Sequence, residues 1–334
     1  MGGHANVTPV RRWVLAAAAA CALLPAAPTR AADTVPTAPK PTLADVAYGP
    51  DPRQVLDFWK AESREPAPLM LYVHGGSWIG GSKAGVSGLE EVLAAGISVA
   101  SVEYRLVGKA TAAGIRPPVA WPMHDVARAL QFVRSKAADW NVDKTRICVL
   151  GNSAGACTGL WLAFHDDMAD PSSSDAVARE STRLTCAAGI SAQTSLDPLQ
   201  MRAWIPNIEY GAHAFGVRPD PARGLSRFEN FLAQREQLLP WIQEYSPIGL
   251  VTPDDPPVYL SYIMKPDLGR PQVEAEHSAN FGVALQRKLA SVGVECVLVH
   301  PQAPSAAYPQ PHDFVIAKLR PSVRERRTPD EPPR

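Results

Sequence analysis

"RICVLGNSAGACTGLWLAF", residues 146–164, passes from an apolar run into a glycine-bounded serine and then into a run of small and apolar residues. Ile147–Leu150 read as a short strand buried on both faces, and Ala154–Phe164 as a helix. Gly151 and Gly155 permit a sharp turn between the two and close packing of helix on strand. A Gly-x-Ser-x-Gly match is weak by itself, and a serine at such a place could serve only as a helix N-cap. In a strand–turn–helix, however, the Ser153 hydroxyl projects from the end of the sheet, which makes it a candidate nucleophile.

Comparable apolar runs recur on both sides of this stretch: "PLMLYVH" (68–74), "GISVASVEY" (96–104), "LTCAAGIS" (184–191), "PPVYLSYI" (256–263) and "VECVLVH" (294–300). Helical patterns separate them. "MHDVARALQFVRSKAADW" places Val126, Ala129, Leu130 and Val133 on one face, and "HSANFGVALQRKLASVG" places Phe281, Ala284, Leu285 and Leu289 together. Strand and helix in repeated alternation predict a doubly wound, mostly parallel α/β sheet. With 334 residues, 46% of them hydrophobic, the chain can build one large core. It carries 33 basic and 33 acidic residues, a balance that points away from nucleic acid or an acidic membrane surface as partner.

Residues 1–31 read as a secretory signal, with Arg11 and Arg12 ahead of "WVLAAAAACALL" and small residues before a cut after Ala31. The apolar run is too short to span a bilayer, so no stable membrane insertion is expected after cleavage and the protein is predicted to be secreted or periplasmic. A lipoprotein signal ending at Cys21 is the weaker alternative. Residues 32–44 read as a linker, 45–320 as the folded domain, and 321–334 as a disordered tail. Residues 192–250 interrupt the alternation with seven aromatics among prolines and charges. They form either a surface excursion with its own small core or a lid over a site at the strand ends. Four cysteines follow the signal; Cys148, Cys186 and Cys296 sit in strand-like runs as small buried hydrophobes, although an even count permits a disulfide.

A serine that attacks an acyl carbon creates an oxyanion, which needs preorganised donors. The Ala154 amide is one, and "YVHGGSWIGG" (72–81) supplies the others, with Gly76 and Ser77 as the expected donors. Trp78 in that loop, and Trp204 and Tyr210 in the insertion, are the expected substrate contacts. His74 is expected to brace the loop, and His124 and Asp125 to make structural contacts. No His, Asp or Glu cluster has metal-ligand spacing, so neither metal nor cofactor is expected.

Together "HGGSW" (74–78), "GNSAGA" (151–156), "YSPIGLVTPDDPPVYLSY" (245–262) and "PHDF" (311–314) resemble the α/β-hydrolase esterases related to the hormone-sensitive lipase group, nearest to bacterial acetyl-xylan and feruloyl esterases. The resemblance covers about residues 45–320. It implies an eight-stranded α/β-hydrolase fold and a Ser–Asp–His triad in that chain order. On that pattern His312, after the last strand, is the general base, ahead of His300 and of His277, which reads as a cap or surface residue. Asp267, four residues past Ile263, is the implied acid, ahead of Glu274 and Glu276. Ser77 departs from the third glycine common in such loops, "YIMKPD" replaces the usual His-Gly-x-x-Asp, and "PSAAYPQP" lengthens the path to His312. The expected reaction is hydrolysis of short acyl or hydroxycinnamoyl esters, small or linked to polysaccharide. An arylformamidase-like amide hydrolase and a non-catalytic α/β-hydrolase-fold binding protein are the alternatives.

Overall fold

The computed structural model describes residues 39–320. The expected export signal (1–31), most of the expected linker and the expected C-terminal tail lie outside the described residues. Eight strands form one sheet: β1 (Leu43–Ala47), β2 (Val55–Trp59), β3 (Ala67–Val73), β4 (Ser98–Val102), β5 (Val142–Asn152), β6 (Cys186–Ile190), β7 (Val258–Ser261) and β8 (Cys296–Val299). Their order is β1-β2-β4-β3-β5-β6-β7-β8. β1 and β2 are antiparallel additions at one edge, and β3 to β8 run parallel. This is the mostly parallel α/β-hydrolase architecture. The apolar pattern predicts neither edge strand, and β1 begins at Leu43, within the expected linker 32–44. Each is only five residues long and broken by an aspartate, Asp45 in β1 and Asp57 in β2, so neither shows the unbroken apolar run of the central strands.

Side-chain alternation explains why the central strands are apolar throughout. Leu69, Leu71 and Val73 of β3 face one side, where they pack with Val149, Leu160 and Trp161. Met70 and Tyr72 face the other, against Leu150, Phe314 and Leu319. Helices Ala120–Ser135 and Ala154–Phe164 cover the first face, and helices Leu89–Ala94 and Pro311–Leu319 the second. Fully burying one such leucine or phenylalanine contributes about 1.5–3 kcal/mol, so both helical layers are needed to hold the sheet.

Cys148 and Cys186 are register partners on β5 and β6, and a disulfide joins them across a Cα–Cα distance of 4.9 Å. Two strand cysteines directly opposite on the same face are close enough to bridge, a relation that exists only once the register is set. Cys157 and Cys296 are free.

The insertion between β6 and β7 is largely helical, and its "LSRFENFLAQREQLLPWI" segment (225–242) enters two helices, Arg227–Ala233 and Arg235–Tyr245. Ser226 and Glu229 form a capping box at the first. Phe215 and Phe228 pack on Phe231 at centroid distances of 5.3 and 6.1 Å, and the three join the core on the face of the sheet that carries Leu69 and Leu71 of β3. The buried Asp197 caps helix Pro198–Trp204 and takes two hydrogen bonds from Arg235, at 2.8 and 2.7 Å, tying the insertion together. No helix among the described residues is long and apolar enough to cross a membrane.

Candidate active site

Ser153 lies between β5 and helix Ala154–Phe164, whose N-cap it is, with φ 50° and ψ −121°, a strained geometry for a residue with a Cβ. The flanking glycines are sterically required. A Cβ on Gly151 would come within 2.4 Å of the Gly155 carbonyl oxygen, and one on Gly155 within 2.2 Å of the Val73 oxygen. The Ser153 amide donates to the Ile190 carbonyl at 2.8 Å, which fixes the turn against β6. Its side chain opens into a cavity of about 630 Å³ beyond the carboxyl ends of the strands. A second cavity of about 560 Å³, between residues 111–118 and 216–234, holds neither nucleophile nor histidine.

The loop after β3 borders the same cavity. Gly76, Ser77 and Trp78 all take positive φ, at 106°, 53° and 56°. The turn closes on itself, with the Ile79 and Gly80 amides donating to the Gly76 carbonyl at 2.9 and 3.1 Å. The amides of Gly76, Ser77 and Ala154 donate to no acceptor among the described residues, so they are free to bind an anion. His74 braces the loop: its ring stacks on Tyr104 at 4.2 Å, and its two nitrogens face the Gly75 carbonyl at 2.7 Å and Glu103 Oε1 at 3.1 Å. Burial opposes ionisation of Glu103, but His74, the Lys83 amide and Arg53 together hold its carboxyl below the usual range.

His277 is the residue that meets the serine. Its Nε2 lies 2.9 Å from Ser153 Oγ. It belongs to the short 3₁₀ turn Ala275–His277, which follows β7 rather than β8. Buried Ala275, Ser278 and Asn280 anchor that turn, and Gln193 Nε2 donates to the Glu276 carbonyl at 2.5 Å. Glu274, three residues before the histidine, brings Oε2 to 3.8 Å from His277 Nδ1, too long for a hydrogen bond.

The expected triad partners are therefore rearranged. His312 sits in the first turn of helix Pro311–Leu319, against Gly88, with Nε2 3.7 Å from Asp313 and no hydrogen bond to Ser153. The proline-rich segment before it carries the chain past the serine instead of back to it. Asp267 is exposed and enters the structure through its backbone: its amide donates to Asn280 Oδ1 at 2.7 Å, and its carbonyl accepts from Asn280 Nδ2 at 2.9 Å. Its carboxylate meets no histidine. His277 ranks below His312 on sequence because it opens an amphipathic segment, where a capping role is common. The available signal was the Glu-x-x-His spacing close behind β7, which sets an acid and a base on one turn.

The aromatic contacts also divide. Tyr210 lines the cavity with Ser153. Trp78 does not: it is fully buried, and its Nε1 donates to Thr158 Oγ1 at 2.9 Å, pinning the loop to the serine's helix. Trp204 packs edge-on against Phe281 at 6.2 Å beside a separate cavity, because the backbone of its turn is held by Asn280. Among the described residues no group of three or more His, Cys, Asp or Glu is arranged to hold a metal.

Similarity to known proteins agrees with this architecture. Esterase LipC of Mycobacterium tuberculosis is 35% identical over 116 residues, which are 33% of this chain and 27% of that protein. A probable isoprenylcysteine alpha-carbonyl methylesterase of Arabidopsis thaliana is 28% identical over 148 residues, 44% of this chain and 30% of its own length. The chain thus spans about a third or less of these relatives. Among solved structures, a truncated carbohydrate esterase from gut microbiota aligns with a TM-score of 0.60 at 16% identity, covering 83% of this chain and 95% of that one. The acetyl ester-xyloside bifunctional hydrolase of Caldicellulosiruptor lactoaceticus aligns with a TM-score of 0.53 at 21% identity, covering 74% and 76%. Residues 56–281, more than half of the chain and including both the glycine-rich loop and His277, match the BD-FAE family, and the chain belongs to that family.

Proposed function

We propose that this protein hydrolyses carboxylic esters by covalent catalysis at Ser153, with His277 as general base. The observation that carries this reading is the 2.9 Å contact between Ser153 Oγ and His277 Nε2 at a strained turn. His277 takes the hydroxyl proton as Oγ attacks the ester carbonyl, and the Gly76, Ser77 and Ala154 amides hold the oxyanion. The tetrahedral intermediate collapses, His277 protonates the departing alcohol, and the acyl group remains on Oγ. Water, deprotonated by the same imidazole, then releases the acid and restores Ser153. Glu274 closes on Nδ1 and stabilises the imidazolium. Base and acid thus come from one turn after β7.

The substrates we propose are short acyl or hydroxycinnamoyl esters such as the decorations of polysaccharides, met outside the cytoplasm if residues 1–31 direct export. The open, hydroxyl-lined cavity and the carbohydrate-ester chemistry in the names of the structural relatives support this choice. The test is turnover of a p-nitrophenyl ester series, acetylated xylan and methyl ferulate by wild type and Ser153→Ala. Hydrolysis that disappears in the variant, with a phosphonate adduct on Ser153 in the wild type, is the expected result. Retention of more than a few per cent activity would exclude Ser153 as nucleophile.

A further inference from the structure

Ser77 stands at φ 53°, where a side chain is strained and glycine is favoured. Glycine would meet every backbone need of the loop at this position, so the serine calls for a reason that lies in its hydroxyl. A second anomaly adjoins it. Tyr210 is 8% exposed, and its Oη is buried with no hydrogen-bond partner. Buried polar groups without partners are rare, and one placed against a reactive loop needs an explanation. Burial pushes the phenol's ionisation up, so it remains a proton donor. The Ser77 side chain faces it closely enough to oppose that push, yet no bond of ordinary geometry joins the two. The tyrosine ring is held in place by the edge of His213 at 5.1 Å and by Trp78 at 6.4 Å. Both Ser77 and Tyr210 line the cavity that contains Ser153.

We propose that the Ser77 hydroxyl, backed by Tyr210, is a specificity-determining donor to an acceptor oxygen on the acyl group of the ester bound at Ser153. When an ester binds, Tyr210 Oη closes on Ser77 Oγ and donates to it, and Ser77 turns its own proton into the cavity. A hydroxyl has one proton and two lone pairs, so both bonds form at once. On this proposal the acyl group lies on the side of Ser153 where Ser77 and Tyr210 line the cavity. The alcohol is then placed toward Ile263, which also lines the cavity and is 65% exposed. A hydrocarbon acyl chain displaces water from the pair and returns no hydrogen bond. An acyl group with an ether, hydroxyl or keto oxygen beside its carbonyl returns one. The substrate class is therefore a short oxygenated acyl ester, an inference that rests on the ester-hydrolase reading above.

The experiment compares p-nitrophenyl methoxyacetate with p-nitrophenyl butanoate, whose acyl chains have equal numbers of heavy atoms, in wild type, Ser77→Gly and Tyr210→Phe. The change in the ratio of their kcat/KM values cancels the intrinsic reactivity of each ester. Ser77→Gly keeps the backbone amide and relieves the positive φ, so it folds even if Tyr210→Phe does not. The methoxyacetate-to-butanoate ratio is expected to fall about tenfold in Ser77→Gly and severalfold in Tyr210→Phe. An unchanged ratio, including equal losses on both esters, with turnover that still depends on Ser153, overturns this inference alone. Absence of turnover in the wild type overturns the ester-hydrolase reading and this inference with it.

Discussion

Ser153 Oγ and His277 Nε2 lie 2.9 Å apart although 124 residues separate them in the chain, and the imidazole arrives from the loop after β7. That contact separates two histidines with different expected behaviour. His277→Ala should lower kcat/KM for p-nitrophenyl acetate by a factor on the order of 10³, the scale of a lost general base. His312→Ala, on the far side of Gly88, should stay within a few-fold of wild type. The reverse pattern would return the base to the helix after β8.

The acid follows the base. Glu274→Gln should reduce turnover on the order of 10²-fold, less than a buried triad acid would, because this carboxylate is half exposed and 3.8 Å from the imidazole. Asp267→Asn should leave kcat close to wild type, since Asn280 holds the Asp267 backbone and not its carboxylate. Steady-state kinetics on one activated ester distinguish the two; a dead Asp267→Asn beside an active Glu274→Gln contradicts the assignment.

His213 offers a pH test of stability. Burial pushes its pKa down to about 4, and its Nε2 has no hydrogen-bond partner. The unfolded chain binds the proton near pH 6.5 while the folded one refuses it, so stability is intact above that pH and declines as pH falls toward 4. Between pH 7 and 5 this one group should cost about 2 kcal/mol. Denaturant melts of wild type and His213→Gln at the two pH values should differ by that amount; parallel losses in both proteins would place the acid sensitivity elsewhere.

The disulfide should act chiefly on the unfolded chain. Cys148 and Cys186 are 38 residues apart, a loop whose closure contributes about 3–4 kcal/mol in the chain-entropy account. Cys148→Ser with Cys186→Ser should lower Tm in the absence of reductant. Reductant should lower the wild-type Tm and leave that of the double variant unchanged. Equal response of the two to reductant would argue against the bridge.

The sequence by itself determined the features that are local or periodic. Apolar runs marked the buried strands because both faces of a parallel sheet are covered, and Gly151 and Gly155 marked the elbow because no Cβ fits there. The glycine-rich loop declared its bend through the residues that permit positive φ. Tertiary structure alone decided what those turns meet. His277 and His312 each follow a parallel strand by a loop, and nothing in their own neighbourhoods says which imidazole reaches Ser153. Loop path decides it: Gln193 and Asn280 hold the β7 loop over the serine, while the proline-rich stretch after β8 leads His312 to Gly88. Trp78 and Trp204 likewise read as substrate contacts, but packing turns one into the core and the other toward Phe281. The cysteine pair became a disulfide only when register set Cys148 opposite Cys186. Periodicity fixes which face a side chain takes on its own element, whereas a contact between elements depends on register, twist and loop length, which no short window of sequence contains.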